Sequence, residues 1–225
     1  MSIGLRTGRN SGHFGAYSPT MKARVMGRTL PSETRKAQLL LAARKVLGEK
    51  GYSATRISEI VAEAGVSQGT FYLYFASKED IVIELGRALV ADALSEIKGN
   101  WSPDDEMETA LRKVIKSYYK VCFQYKDVLE GTNGGATPGL NKGKWNEIYK
   151  PLNDGTLNMI ETWQRHGSIS SEADADVVSW LLIDTFNGAL ARLFGHSGDR
   201  VSQDYEAQVI GWTLSALKYF NPRKT

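Results

Sequence analysis

Apolar residues recur every three or four positions through most of the chain beyond Pro31, and this period is typical of amphipathic α-helices. In the first such stretch Ser32 can cap a helix, Glu33 suits its first turn, and Gly51 is placed to end it. The apolar positions of this helix are Leu39, Leu40, Ala43 and Leu47. We expect this face to brace the two short helices that follow.

A short second helix is predicted between Thr55 and Gly65. Its apolar residues fall at i, i+3, i+4 and i+7 and form one face: Ile57, Ile60, Val61 and Ala64. Gly65 can end this helix in the left-handed conformation, which costs least without a Cβ atom. Ser67 can then cap a third helix, because its hydroxyl can accept a hydrogen bond from an otherwise unpaired backbone amide.

The third helix is predicted to bury one side and to present polar residues on the other. Phe71 and Phe75 are four residues apart and point inward together, whereas Gln68, Thr70 and Tyr72 lie mainly outward. A short helix, a glycine turn and a second helix with a polar front are typical of a helix-turn-helix, whose second helix enters the major groove of DNA. The alternative is a packing motif with no DNA role, which would need the two phenylalanines but not the polar front.

The run A-G-V-S-Q-G-T-F-Y-L-Y-F-A-S-K-E-D, residues 64–80, resembles the second and third helices of the TetR family of transcriptional repressors. The clear match covers residues 33–80, and the remainder is similar to the family in length and helical texture. This resemblance implies an all-α fold, in which an N-terminal three-helix DNA-binding domain precedes a helical ligand-binding and dimerisation domain. We expect a disordered basic arm at 1–31, the DNA-binding domain at 32–80 and the second domain at 81–225.

The resemblance also implies which side chains meet DNA. Gln68 and Thr70 are expected at base edges, with Arg56 as a further candidate. The side chains predicted to hold phosphates, and so to fix the register on DNA, are Thr55, Ser67, Tyr72, Tyr74 and Lys78.

Arg56 departs from the family pattern, because many relatives carry Ser or Thr at this position as a helix cap. Glu59 is the acid that such a capping box requires, but an arginine side chain cannot accept an amide hydrogen bond. We therefore expect Thr55 to cap one residue early, which leaves Arg56 to face a phosphate or a base edge. The alternative is that Arg56 is an ordinary solvated surface residue.

Further helices are predicted in the rest of the chain, the first of them opened by a capping box of Ser77 and Asp80. Their ranges are 77–97, 104–125, 145–166, 172–194 and 202–220, with a flexible loop at 131–144 and an interruption near Pro151 and Gly155. The last two helices are apolar and carry small residues that permit close approach: Gly188, Ala189, Ala191, Gly211 and Ala216. The resemblance implies that these two helices form a homodimer as a four-helix bundle; packing only within the chain is the alternative.

In the family, the helices after the DNA-binding domain enclose a pocket for a small molecule. Aromatic side chains in this part of the chain suit an apolar or planar ligand. The candidates are Tyr118, Tyr119, Phe123, Trp145, Tyr149, Trp163 and Phe186. For each of them, packing in the core is the alternative role.

Positive charge is concentrated at the N-terminal end, although the net charge of the whole chain is only +3. Residues 1–31 contain five Lys or Arg residues and no acid, whereas the chain after residue 80 has sixteen basic against nineteen acidic residues. A basic arm beside the first helix can reach DNA phosphates or a neighbouring minor groove. The alternative is a leader without a role.

The chain lacks the usual signs of an enzyme or a membrane protein. It has no H-x-x-x-H or H-E-x-x-H pair and no G-x-S-x-G motif, so we expect no metal, cofactor or catalytic site. Gly143 and Lys144 do not complete a phosphate loop, because Pro138 and Trp145 stand where Gly and Ser or Thr are required. No apolar run approaches a membrane span, no signal peptide is visible, and the lone Cys122 suits a reducing cytoplasm.

These observations predict a cytoplasmic, homodimeric, TetR-like regulator of transcription that binds DNA and is not an enzyme. It would repress from a roughly palindromic double-stranded operator and be released by a small-molecule effector. The alternative is a ligand-independent DNA-architectural or partner-binding protein on the same scaffold.

Overall fold

The computed structural model describes residues 32–132, 142–195 and 204–219, and within these ranges every regular element is an α-helix. The helices are α1 (Ser32–Ala54), α2 (Ile57–Ala64), α3 (Gln68–Tyr72), α4 (Lys78–Asn100), α5 (Met107–Gln124), α6 (Lys126–Gly131), α7 (Lys142–Arg165), α8 (Ala175–Gly195) and α9 (Asp204–Tyr219). The predicted all-α fold is therefore confirmed. The predicted basic arm lies outside the described residues.

Helices α1, α2 and α3 pack around one apolar centre. The buried residues of α1 include Leu39, Ala43 and Leu47, as the sequence pattern predicts. Phe71 and Phe75 are also buried, with their ring centroids 5.6 Å apart. This burial fixes the rotation of α3 about its own axis, because one side of the helix must face the centre.

The end of α1 is a break rather than a simple stop. Gly51 has φ 73 and ψ 166, a conformation that favours glycine, and one more turn of helix follows it. The hydroxyl of Thr55 then donates to the carbonyl of Gly51 at 2.7 Å. This turn delivers the chain to the start of α2.

The second half of the chain is built around α4, which packs against α5 on one side and α7 on the other. The backbone amide of Asp80 donates to Ser77 Oγ at 3.1 Å, so the predicted capping box at the start of α4 has its serine half in place. A Cβ atom on Gly86 would lie 2.9 Å from the ring of Trp145, which shows how closely α4 and α7 approach.

Two features of the second half differ from the sequence prediction. Helix α6, Lys126–Gly131, was not predicted, and residues 142–144 of the predicted loop belong to the start of α7. Helix α7 also continues through Pro151 without interruption. Pro151 is exposed and so is Glu147, whose carbonyl loses its helical partner to the proline ring. Water can hydrogen-bond to that carbonyl, which makes the proline tolerable. Gly155 lies within the same helix, and a Cβ atom on it would be 3.6 Å from Leu94 of α4.

Helix α8 is long and apolar enough to cross a bilayer by composition alone over Ala175–Phe194, so the prediction that no segment has this character is wrong. A helix of a protein core passes the same test, and α8 packs against α7. Ser179 Oγ donates to Asn153 Oδ1 at 2.8 Å in this contact. The outer side of α8 leaves Val177 and Leu181 exposed.

Helix α6 lies against α1 so closely that Gly131 is required at its end. A Cβ atom there would lie 2.7 Å from the carbonyl oxygen of Leu47, and a backbone atom cannot move aside cheaply. We expect Gly131→Ala to lower the free energy of unfolding by ~1–3 kcal/mol, as overpacking does. Urea denaturation followed by circular dichroism measures the change.

Gly99→Ala is the matched control, because Gly99 also lies in a helix but has no atom within 4 Å of its added Cβ position. Its free energy of unfolding should rise by up to ~1 kcal/mol, from the better helix propensity of alanine. Equal effects of the two substitutions would contradict the close contact of α6 with α1.

Candidate nucleic-acid interface and effector region

The turn between α2 and α3 is held by hydrogen bonds to the last carbonyls of α2. Gly65 adopts the predicted left-handed conformation, with φ 65 and ψ 36, and its amide donates to Ala62. The amide of Val66 donates to the carbonyl of Val61 at 3.0 Å, and Gln38 Nε2 of α1 donates to the carbonyl of Ala64 at 2.5 Å. The angle between α2 and α3 is therefore fixed both locally and by α1.

Ser67 caps α3, as predicted. Its hydroxyl accepts from the amide of Thr70 at 3.1 Å, and the two hydroxyl oxygens lie 2.9 Å apart. If the Ser67 hydroxyl donates in this pair, the Thr70 hydroxyl keeps its own proton for a hydrogen bond to a base.

The side chains that α3 presents outward include one that the sequence analysis missed. Gln68 and Tyr72 are exposed, as predicted, and Gln68 forms no hydrogen bond with the described residues. Leu73, which directly follows α3, is 81% exposed and is the missed residue. Its position two residues after Phe71 was the available signal, because residues two apart lie on opposite sides of a helix.

Thr55 does not face DNA, and the prediction that its side chain holds a phosphate is wrong. Thr55 is only 2% exposed, and its hydroxyl already donates a hydrogen bond to the carbonyl of Gly51. It does not cap α2 either. The residue at the N-cap is Arg56, whose amide donates to Glu59 Oε2 at 3.0 Å. Burial of Thr55 follows from the extra turn after Gly51, which a helical pattern does not encode.

The carboxylate of Glu59 supplies the acid half of a capping box, because it accepts from the backbone amide of the N-cap residue Arg56. Lys50 Nζ donates to Glu59 at 2.5 Å, and this bond, together with the bond from the Arg56 amide, lowers the pKa of the Glu59 carboxyl. The Arg56 side chain is exposed and takes no ion pair within the described ranges. It remains available to DNA, as predicted.

Lys78 is turned partly inward. Its ammonium donates to the carbonyls of Tyr52 and Thr55 at 2.6 and 2.8 Å, and it lies 4.3 Å from the centre of the Tyr52 ring. Burial lowers the pKa of Lys78. Two of its three N–H groups are therefore committed within the chain, where they tie the start of α4 to the junction of α1 and α2. One N–H group of Lys78 is left for the predicted phosphate contact.

Tyr74 is half-buried and lines a surface groove between α1, α4 and α7. The groove mixes both signs of charge, with Lys36 paired to Glu84 at 2.7 Å. Tyr74 thus lies at the edge of the exposed face of α3, whereas Tyr72 lies on it.

Six of the seven predicted effector residues are buried in the second half. The Tyr118 hydroxyl is in hydrogen-bonding reach of both Tyr149 and Cys122, and it donates to Asn187 Oδ1 at 2.5 Å. Burial raises the pKa of both tyrosines and raises that of Cys122 to about 12. The cluster is therefore uncharged at neutral pH and joins α5, α7 and α8.

The remaining predicted effector residues differ in their surroundings. Trp145 lies beside Tyr149, with ring centroids 6.1 Å apart, and its indole N–H is buried without a hydrogen-bond partner among the described residues. The Tyr119 hydroxyl is also buried without a hydrogen-bond partner among the described residues. Trp163 and Phe186 are buried in the core. Phe123 is half exposed and packs edge-to-face on Phe194 at 5.2 Å, outside the tyrosine cluster.

Comparison with known proteins places the helix-turn-helix in a family. A family model described as bacterial regulatory proteins, tetR family, matches residues 39–85. An uncharacterized HTH-type transcriptional regulator, YvdT of Bacillus subtilis (strain 168), is 34% identical over 191 residues, which cover 84% of this chain and 98% of the relative.

Solved structures share the whole fold. The fatty acid degradation regulator FadR from Bacillus halodurans aligns with a TM-score of 0.67 and 20% identity, covering 88% of this chain and 99% of that one. The transcriptional regulator FadR from Bacillus subtilis, solved in complex with stearoyl-CoA, aligns with a TM-score of 0.63 and 22% identity, covering 83% and 97%. Because the family match falls on the helices that carry the interface, and the YvdT match runs almost end to end, this chain belongs to the tetR family of DNA-binding transcriptional regulators.

Proposed function

We propose that the protein is a homodimeric repressor that binds a roughly palindromic operator through α3 and leaves it when a small molecule binds among α4, α5, α7 and α8. The observation that carries the proposal is the exposed face of α3. Capping hydrogen bonds at the end of α2 and at the start of α4 hold this helix in place. A single helix-turn-helix reads few base pairs, so two copies are needed for specificity. Operator DNA as the partner implies a cytoplasmic protein.

Base recognition is assigned to Gln68, with Thr70 and Arg56 beside it. The Gln68 side chain is exposed and has no hydrogen-bond partner among the described residues, and a glutamine amide can bond to the N6 and N7 positions of adenine together. Phosphate contacts are assigned to Ser67, Tyr72 and Tyr74, which flank it. These contacts fix register but carry no direct sequence information.

A movement of helices caused by effector binding can be transmitted to α3 through two connections. In the first, Arg44 of α1 makes two bonds of 2.9 Å to Asp127 of α6 and lies 4.6 Å from the centre of the Tyr125 ring. The Tyr125 hydroxyl donates to Asp92 of α4 at 2.6 Å. The second connection is Lys78, which binds α4 to the junction before α2. A ligand that moves α4 or α6 would therefore move the helices that position α3.

The homodimer is assigned to the outer sides of α8 and α9. Leu181 is 56% exposed and Trp212 is 60% exposed, and large exposed apolar residues in such number mark interaction surfaces. Gly188 and Gly211 have open space where a Cβ atom would be, so a second copy can approach these helices closely. The family's two-copy mode of DNA binding favours a second copy of this chain as the occupant.

We expect Gln68→Ala to lose ~1–3 kcal/mol of binding free energy at particular base pairs, because one bidentate contact is removed. Selection of bound DNA from random sequence, followed by titration of single base changes, measures this. Gln124→Ala, an exposed glutamine on α5, is the control. An unchanged base preference in the Gln68 variant would refute the assignment.

Leu181→Glu should dissociate the dimer, since pairing would bury an unpartnered carboxylate in an apolar contact. Sedimentation velocity should show a monomer at concentrations where the wild type is a dimer, and operator affinity should fall with it. Leu41→Glu places the same charge on an exposed leucine of α1 and should remain dimeric. A monomeric wild type, or a dimeric Leu181→Glu variant, would rule out this interface.

Long-chain acyl-CoA is the effector class to test first, because the core between α4 and α8 is apolar and aromatic and FadR of Bacillus subtilis was solved with stearoyl-CoA. Stearoyl-CoA should change tryptophan emission and weaken the operator complex by about 5–150-fold, the usual range of allosteric coupling. Operator DNA should weaken stearoyl-CoA binding by the same factor.

Trp145→Phe should lose most of the emission change, and Trp212→Phe, outside the core, should keep it. A screen of acyl-CoAs and other metabolites that alters neither emission nor operator affinity would favour the ligand-independent alternative.

A further inference from the structure

The outermost positions of the recognition helix are apolar. An α-helix advances about 100° per residue, so the residues two before and two after Phe71 lie about 160° away from it. Phe71 is fully buried, and those residues are Gly69 and Leu73. Leu73 has φ −72 and ψ −21, so it continues the helical row that starts at Gly69. Gln68, Thr70 and Tyr72 lie to the two sides of this row.

Neither residue has a role within the described chain that explains it. A Cβ atom on Gly69 would meet only Ser67 Oγ, at 3.8 Å, so alanine would fit there and would favour the helix. Leu73 is 81% exposed, although both of its helical neighbours toward the core, Phe71 and Phe75, are buried. The reason for a glycine and a leucine at this edge must therefore lie in what the edge touches.

We propose that Leu73 contacts the 5-methyl group of a thymine in the major groove and that Gly69 lets the α3 backbone come close enough for this contact. A leucine side chain can neither donate nor accept a hydrogen bond, so it cannot hold a phosphate. Among base edges in the major groove, the thymine methyl is the apolar group. Leu73 is thus a specificity-determining residue, and this assignment rests on the proposed binding of an operator by α3.

The test removes one methyl group at a time from the DNA. An operator is first selected from random sequence with the full-length protein, and each thymine is then replaced singly by deoxyuridine. The wild type should lose about three- to fivefold in affinity at one or two thymines per half-site, the usual value of one buried methyl. Leu73→Ala should bind the thymine operator more weakly and no longer distinguish thymine from deoxyuridine at those positions. Leu41→Ala, an exposed leucine on α1, should match the wild type.

Gly69→Ala tests the close approach separately. Its thermal stability should equal or exceed that of the wild type, yet operator affinity should fall about tenfold or more, because a methyl group is forced into a packed contact. Gly99→Ala adds the same methyl to an exposed position of α4 and should leave operator affinity unchanged.

Three results would overturn the proposal: no thymine sensitive to deoxyuridine in the wild type, a Leu73→Ala variant that keeps the sensitivity, or a loss in Leu73→Ala that is equal on all DNA sequences. In each of these cases sequence-selective binding survives, so the proposed function stands while the methyl contact fails. A wild type that selects no sequence overturns both.

Discussion

The burial of Phe71 is the constraint on which the DNA-binding half depends. With that ring held in the centre formed by α1 and α2, the rotation of α3 is fixed, and every other residue of the helix has a set direction. The caps around it, from Ser67 and from Gln38 of α1, then fix the helix against sliding. Apolar packing sets the direction of the helix, and hydrogen bonds set its position.

The two halves of the molecule are joined by charged groups that are only partly exposed. Lys78 donates hydrogen bonds to two backbone carbonyls, and Arg44 contacts both a carboxylate and an aromatic ring. Such contacts have directional geometry and lose their partners when helices shift by a small distance. They are suited to transmit a displacement of α4 or α6 to α3. Purely apolar contacts could absorb the same displacement by sliding.

The exposed apolar residues of α8 and α9 differ in their setting from Leu73 at the end of α3. On α8 and α9 they are large, accompanied by exposed glycines, and suited to a second protein surface. At the end of α3 a single leucine stands among polar side chains, which suits a small apolar target such as one methyl group. The difference in scale, rather than the apolar character alone, separates the proposed protein contact from the proposed base contact.

The sequence by itself determined the three helices of the DNA-binding half, most of their buried residues and the capping residues Ser67 and Ser77, because these depend on neighbours within a few positions. It also carried the family match between Ala64 and Asp80. Only the tertiary structure decided that Thr55 is buried, that Lys78 turns inward and that α7 runs through Pro151. Each of these depends on a break in the helix at Gly51, on groups that are distant in the chain or on exposure to water, and helical periodicity encodes none of them. For Leu73 both sources were needed. The outward direction of its side chain followed from the sequence position of Phe71, but its exposure became known only from the tertiary structure around it.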